Sequence, residues 1–395
     1  MTAATIPEER ALRDPRGACV ADEHTELDNA AFAQAVAGVA AVFAAAGLRR
    51  GGVLAIMLPN RVELVTGIFA AWRLGAAVTL VSPALAAHEA KDQIEDAAAT
   101  LVLADEAAAT VLGDISQRII GVAEVTAPPR PAVPPTLVTD LGTLAMLIYP
   151  SRVAGRRGGV MLDHANVGAT AELIVDWFEM DDTTRCLLVL PLSHVNPIVV
   201  SVVSPLLAGG STFISDRFDA ARFWATAERV RPTFFSAVPA IYAALAAQPA
   251  ASPGTTSLRY VVCEAAPMPP PLTGELERRF GVPAVAGYGL AECTVCCTLN
   301  PLRGLRKAGS AGLPLPGVDV RVVDGDDQQV PAGTAGEVVV RGPNVMRGYL
   351  RRPEESAEIL RGGWLHTGDA GRLDEDGYLT LAGRVESPAD VGTVS

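Results

Sequence analysis

The sequence predicts an α/β protein built on parallel βαβ units, with a β-rich segment towards its C-terminal end. Short apolar runs alternate with helix-length periodic segments over residues 26–104, and again after a glycine-rich stretch ending at Gly159. That alternation is the pattern of parallel strands joined by crossover helices. From about residue 298 the apolar residues instead fall at every second position between Gly/Asp turns, as antiparallel strands require. A chain of 395 residues is long enough to bury a large core in several subdomains.

The elements follow in order. Asp28 is placed to cap a helix ending at Gly47, with Phe32, Val36, Val39 and Phe43 on one face. Val53–Leu58 reads as a buried strand. Asn60-Arg-Val-Glu63 has capping-box spacing for a helix running to Leu74. Val78–Val81 and Leu101–Leu103 are further strands, with a helix over Glu89–Ala97 between them. The proline-dense stretch Thr126–Thr136 reads as an extended connection. Later strands are expected at Cys186–Leu190, Thr212–Ile214, Thr233–Phe235, Arg259–Val262 and Ala284–Ala286, and helices at Ala220–Val230 and Pro239–Ala247. Val195–Ala208 reads as an apolar run interrupted by Asn196, Pro197 and Pro205. Period-two strands are expected at Val318–Val323, Glu337–Arg341 and Tyr378–Ala382.

Hydrophobic residues make up 49% of the chain, yet the longest apolar run, Ala30–Gly47, has the spacing of an amphipathic helix and contains Gln34. No signal-type segment opens the sequence, so a cytoplasmic protein without a membrane span is expected. A net charge of −12 argues against nucleic-acid binding and leaves any polyanion to a local basic site. Of the six cysteines, Cys293, Cys296 and Cys297 are clustered, but no second Cys/His pair stands at zinc-ligand spacing.

A local basic site does exist. In Ile148-Tyr-Pro-Ser-Arg-Val-Ala-Gly-Arg-Arg-Gly-Gly-Val-Met-Leu162 a strand end leads through a glycine- and arginine-rich loop towards a helix. Strand, glycine-rich turn and helix gather backbone N–H groups around a phosphate. No Gly-Lys-Ser/Thr closes it, so it is not the Walker pattern. By itself the stretch is equally an ordinary basic surface turn.

Its neighbours decide between these. Pro191-Leu-Ser-His-Val195, Phe235-Ser-Ala-Val-Pro-Ala-Ile-Tyr242, Leu258-Arg-Tyr-Val-Val-Cys-Glu-Ala-Ala-Pro267, Gly287-Tyr-Gly-Leu-Ala-Glu292, Trp364-Leu-His-Thr-Gly-Asp369 and Gly383-Arg384 follow in order. Together with the loop they resemble the motifs of the AMP-forming acyl-CoA synthetase and adenylation-domain superfamily, which includes the luciferases. The resemblance implies a large N-terminal domain of two αβ subdomains and a distorted β-barrel, with the active site at their junction. It also implies ATP or AMP, Mg²⁺ and coenzyme A as cofactors, and a small carboxylic acid or activated acyl group as substrate. Subdomains are expected at residues 1–140, 141–297 and 298–384, with 385–395 the remnant of a hinge. The family's C-terminal domain is expected to be absent, its role left to a separate domain or carrier protein.

Residue by residue, the resemblance assigns Glu292 to Mg²⁺, an oxygen ligand suiting that hard cation. Gly287, Tyr288 and Gly289, with Ala265, Ala266 and Pro267, are assigned to adenine, and Asp369 and Arg384 to ribose. Ser151 and Gly155 are assigned to phosphate. His194 is expected to close over the carboxylate, with Asn196, Ser236, Val238, Cys263 and Cys293 lining an acyl pocket of mixed polarity. The loop departs from the family: Arg152, Val153, Ala154 and Gly158 stand where it has a glycine, two threonines and a lysine, and Arg157 restores part of the charge. Glu264 replaces a small residue, Ala291 a threonine, and Pro197 a glycine. Three readings follow: a divergent adenylate-forming ligase, an acyl-transfer enzyme using a pre-activated donor, or a non-catalytic binder of nucleotide or acyl ligand.

Overall fold

Asp28 opens the first long helix, its carboxylate accepting the Ala31 amide at 2.7 Å. Helix Asn29–Ala45 then turns Phe32, Val36, Val39 and Phe43 into the core, where Phe32 meets Phe69 edge-on at 5.4 Å. In this computed structural model residues 2–126, 136–150, 158–248, 257–263 and 268–385 are described. Ser151, Gly155, Arg157, Ala265, Ala266 and Pro267 therefore lie outside the described residues, as do Arg152, Val153, Ala154, Glu264 and the hinge segment from 386 onward.

Three sheets organise the described residues. The six-stranded sheet runs in the order Arg118–Gly121, Leu101–Ala104, Val53–Met57, Ala77–Leu80, Leu144–Ile148 and Val160–Asp163. It is parallel except for the last pair, the antiparallel strands that flank the glycine-rich stretch in sequence. The nine-stranded sheet runs Leu313–Pro314, Thr298–Leu299, Ala284–Tyr288, Tyr260–Cys263, Phe234–Ala237, Arg185–Leu188, Ser211–Ile214, Ala18–Ala21 and Glu26–Asp28. Its centre is parallel, and its strands are almost wholly apolar because both faces are covered. Asp319–Val323, Gly336–Arg341, Leu365–Leu373 and Leu379–Arg384 form the antiparallel third sheet.

The sheets cut across the boundaries expected at 140 and 297. The hairpin 144–163 completes the first sheet, the strands near residues 18–28 cross to the second, and 298–314 extend the second rather than the third. Two side chains tie the N-terminal segments to the second sheet. Buried Arg10 donates to Asn29 Oδ1 at 2.7 Å and to the carbonyls of Leu206, Gly210 and Ala18. Asn60 makes no capping box with Glu63: it donates to the carbonyls of Leu190 and Ser215 and accepts the Leu192 amide at 2.8 Å. Glu63 pairs with Arg61 instead, and Asp22 accepts the Val62 amide at the helix start.

The run from Val195 to Leu207 is helical throughout. Pro205 cannot donate to Ser201, which in a regular helix would leave that carbonyl orphaned. A π-turn over Val199–Val203 absorbs the mismatch, and the Thr212 hydroxyl takes the Ser201 carbonyl at 2.6 Å. Among the described residues no helix is long and apolar enough to cross a membrane.

Candidate active site

Among the described residues, Ser236, Val238 and Tyr288 lie at the carboxyl ends of parallel strands, where open α/β sheets bind ligands, and Asp369 meets Tyr288 from the antiparallel third sheet with Arg384 beside it. Tyr288 ends strand Ala284–Tyr288, and its hydroxyl donates to Asp369 Oδ2 at 2.6 Å across to the third sheet. Burial and the Asp369 charge raise the Tyr288 pKa, so the phenol keeps its proton and acts as a donor. Asp369 and Arg384 are register partners on adjacent strands, and Arg384 Nη1 reaches Asp369 Oδ1 at 2.9 Å. One carboxylate, 9% exposed, thus receives a neutral donor from one sheet and a charged donor from another.

The turn presenting Asp369 is held from behind. Gly368 sits at φ +68°, and its amide donates to Glu337 Oε1 at 3.0 Å. The other Glu337 oxygen meets His366 Nδ1 at 3.0 Å, with Arg361 at 3.5 Å. Burial works to raise the Glu337 pKa, yet the His366 and Gly368 hydrogen bonds and the nearby His366 and Arg361 charges outweigh it and hold the carboxyl below its ordinary value. Thr367 closes the turn, donating to the Val338 carbonyl at 2.7 Å and accepting the Asp369 amide at 3.1 Å. Sequence reasoning assigned no role to Glu337. Its signal is a lone carboxylate just before the apolar run Val338–Val340.

Glu292 lies in the short 3₁₀ turn Ala291–Cys293 and is 6% exposed. Its Oε1 accepts the Tyr349 hydroxyl at 2.8 Å, and its carbonyl accepts the Met346 amide at 2.8 Å. The following backbone is strained, with Val295 at φ +91°, a region β-branched residues avoid. Asn344 holds it by donating to the carbonyls of Cys293 and Cys296, while Thr294 donates to the Asn344 carbonyl. Gly289 is required by this close approach: a Cβ there would stand 2.1 Å from the Val295 oxygen. Mg²⁺ commonly binds one or two carboxylates and completes its shell with phosphate oxygens and water. A single buried carboxylate therefore fits that ion when a phosphate shares it. Among the described residues no group of three His, Cys, Asp or Glu side chains converges as a metal would need.

The expected acyl-pocket residues separate into two sets. Ser236 and Asn196 face each other at 3.5 Å, with Val238 half-buried at the start of helix Pro239–Ala246. His194 precedes helix Val195–Ile198 and keeps an open surface, although crowding by its neighbours lowers its pKa. Cys263 and Cys293 instead are fully buried, and Cys293 Sγ accepts the Leu290 amide at 3.1 Å. Both side chains are 0% exposed, Cys263 at its strand end and Cys293 in the 3₁₀ turn.

Comparison with known proteins agrees with this architecture. The family described as AMP-binding enzyme matches residues 3–350. A feruloyl-CoA synthase from Amycolatopsis sp is 33% identical over 383 residues, covering 96% of this chain and 78% of that protein. A 2-succinylbenzoate–CoA ligase from Geobacillus kaustophilus (strain HTA426) is 32% identical, covering 95% and 76%. Among solved structures, ATP-bound MatB from Rhodopseudomonas palustris superposes with a TM-score of 0.90 at 27% identity, covering 97% of this chain and 79% of that one. The inhibitor-bound N-terminal domain of FACL13 from Mycobacterium tuberculosis gives 0.90 at 27% identity, covering 97% and 99%. With its fold, strand-end site and family match in agreement, this chain belongs to the AMP-binding enzyme family.

Proposed function

We propose that the protein activates a carboxylic acid as its acyl adenylate, with ATP as the nucleotide and coenzyme A or another thiol as the acceptor. The observation that carries this reading is the junction itself. Tyr288, Asp369 and Arg384 converge from two sheets, and Glu292 lies four residues from Tyr288. In this reading Asp369 accepts the ribose hydroxyls, Arg384 donates to the sugar, and Tyr288 with Gly287 and Gly289 forms the adenine wall. Attack on the α-phosphate develops charge on the phosphoryl and leaving pyrophosphate oxygens, so catalysis rests on positioning and charge stabilisation. Glu292 would hold Mg²⁺, which neutralises that charge when bound. His194 and the Ser236–Asn196 pair would meet the acid. A carrier protein or a further domain would serve the thiol step.

ATP–pyrophosphate exchange over a panel of aromatic and dicarboxylic acids tests the reading. Exchange is expected with at least one acid, and Glu292→Ala should lower it roughly 10²–10³-fold. Absence of exchange with every acid, together with AMP binding that is lost in Asp369→Ala, would favour the second reading. In that reading a pre-activated acyl donor is used. Ala291, which lacks a hydroxyl, and Gly158, which lacks any side chain, are what favour it.

A further inference from the structure

The hairpin carrying the glycine-rich loop returns through Gly158 and Gly159, where it pairs with a segment distant in sequence. Leu350 donates its amide to Gly159 at 2.8 Å, Met161 donates to Gly348 at 3.0 Å, and Val160 bridges to Tyr349. This pairing fixes where any side chain at 158 must go. A Cβ built there stands 2.9 Å from the Leu350 carbonyl oxygen and 3.1 Å from Cγ of Arg352. The aliphatic stem of Arg352 therefore already occupies the direction in which a residue at 158 would leave the backbone.

The Arg352 guanidinium is lightly committed. Its Nε lies 3.5 Å from Glu355 Oε1, and both side chains are more than a third exposed. Such a surface contact is cheap to exchange for a better anion. The neighbouring Arg351 is placed differently: it adopts φ +53° and donates to the Asp96 carbonyl. On the other side Tyr349 donates to Glu292. Residues 349–352 thus link the proposed Mg²⁺ carboxylate to the base of the glycine-rich hairpin.

We propose that Arg352 is the polyphosphate-binding cation of this site, its guanidinium serving the β- and γ-phosphates from the segment facing Gly158. A planar guanidinium offers two parallel N–H donors to a pair of phosphate oxygens, which an ammonium cannot do. Charge placed here favours a triphosphate or pyrophosphate over AMP, because AMP carries no phosphate to reach it. The inference rests on the nucleotide site proposed above.

Calorimetric titration of the 395-residue chain with ATP, inorganic pyrophosphate and AMP in Mg²⁺ buffer tests both. Arg352→Gln should weaken ATP and pyrophosphate about tenfold or more, leave AMP within about twofold, and Arg352→Lys should recover part of the loss. Glu355→Gln, which releases the guanidinium, should strengthen ATP modestly. Unchanged ATP and pyrophosphate affinities in Arg352→Gln overturn the proposal, and so does a parallel loss of AMP, which would mark a structural role. Wild-type protein that binds AMP but not ATP also overturns it while leaving the ribose site standing. Wild-type protein that binds neither removes the nucleotide site itself.

Discussion

On the side proposed for ribose, Asp369 is reached by Tyr288 at 2.6 Å and by Arg384 at 2.9 Å, and its turn is braced by Glu337 and Thr367. On the side proposed for phosphate the described residues offer one carboxylate, Glu292, with Ala291 beside it and Gly158 facing the Leu350 carbonyl. The first region is satisfied by donors from two sheets. The second is thin, and its strained backbone depends on Asn344. In the proposed reading, affinity for the nucleoside end rests on this braced side, whereas discrimination among AMP, ATP and pyrophosphate falls on very few groups. Restoring a lysine at 158 would not simply repair the second region, because the approaching Leu350–Arg352 backbone would have to shift.

The largest expected effect breaks the stronger side. Asp369→Ala removes an acceptor of two charge-assisted hydrogen bonds from a bound ribose, each worth roughly 1.5–3 kcal/mol, so AMP affinity should fall on the order of 10²–10⁴-fold. ATP and AMP should lose equally, and calorimetry checks this. A loss confined to ATP would show that Asp369 serves the phosphates and would reverse the comparison.

A second effect arises at the root of the phosphate hairpin. His164 opens helix His164–Trp177 directly after the return strand, is 1% exposed, and packs edge-on against Trp72 at 5.4 Å. Burial lowers its pKa from 6.5 to about 4. Between those values the unfolded chain binds a proton that the native state resists, so stability present above pH 6.5 is lost as pH falls towards about 4 and levels off below it. The loss should be on the order of 2–3 kcal/mol. Denaturant unfolding at pH 7.5 and 4.5 measures it. His164→Phe should flatten the slope, and a slope as steep as wild type would assign the acid sensitivity elsewhere.

Glu337→Gln should sharpen the comparison by loosening the ribose turn without touching the ligand. Glutamine keeps an acceptor for the Gly368 amide but loses the charge facing His366 and Arg361. AMP affinity should fall about tenfold, with pyrophosphate affinity unchanged. Equal loss of both ligands would make Glu337 a determinant of folding alone.

What the sequence made legible follows the range of the interactions involved. The Asp28 cap is local, so its residue type and spacing sufficed. The alternation of buried strands and helices set the two parallel sheets for the same reason. Strand membership did not follow, since nothing near residues 18–28 indicates pairing with Ser211–Ile214. The missing donor of Pro205 is visible in the sequence, whereas the Thr212 hydroxyl that takes the Ser201 carbonyl is not. Asn60 had a plausible local partner in Glu63 and found distant ones that also satisfy its amide. In the site, Tyr288, Glu292, Asp369 and Arg384 stood out through their motifs. Glu337 and Tyr349 act on those residues through space, Glu337 brought there by the third sheet and Tyr349 by its bridge to Val160.

Tyr349→Phe carries the smallest expected effect and tests the weaker side most directly. The substitution keeps the ring that packs at 3% exposure and removes only the hydroxyl that donates to Glu292 Oε1. A neutral donor to a carboxylate disperses its charge and fixes its rotamer, so its loss leaves Glu292 a stronger but less well-aimed ligand. These consequences oppose one another for metal affinity but not for turnover, which depends on aim. Exchange activity should therefore fall about three- to tenfold with little change in the Mg²⁺ concentration required for half-maximal rate. A large rise in that Mg²⁺ requirement would mean that Tyr349 holds the ion's environment rather than the carboxylate. Unchanged activity would mean that the 3₁₀ turn and Asn344 already aim Glu292 on their own, and the phosphate side would then be better built than its sparse polar contacts indicate.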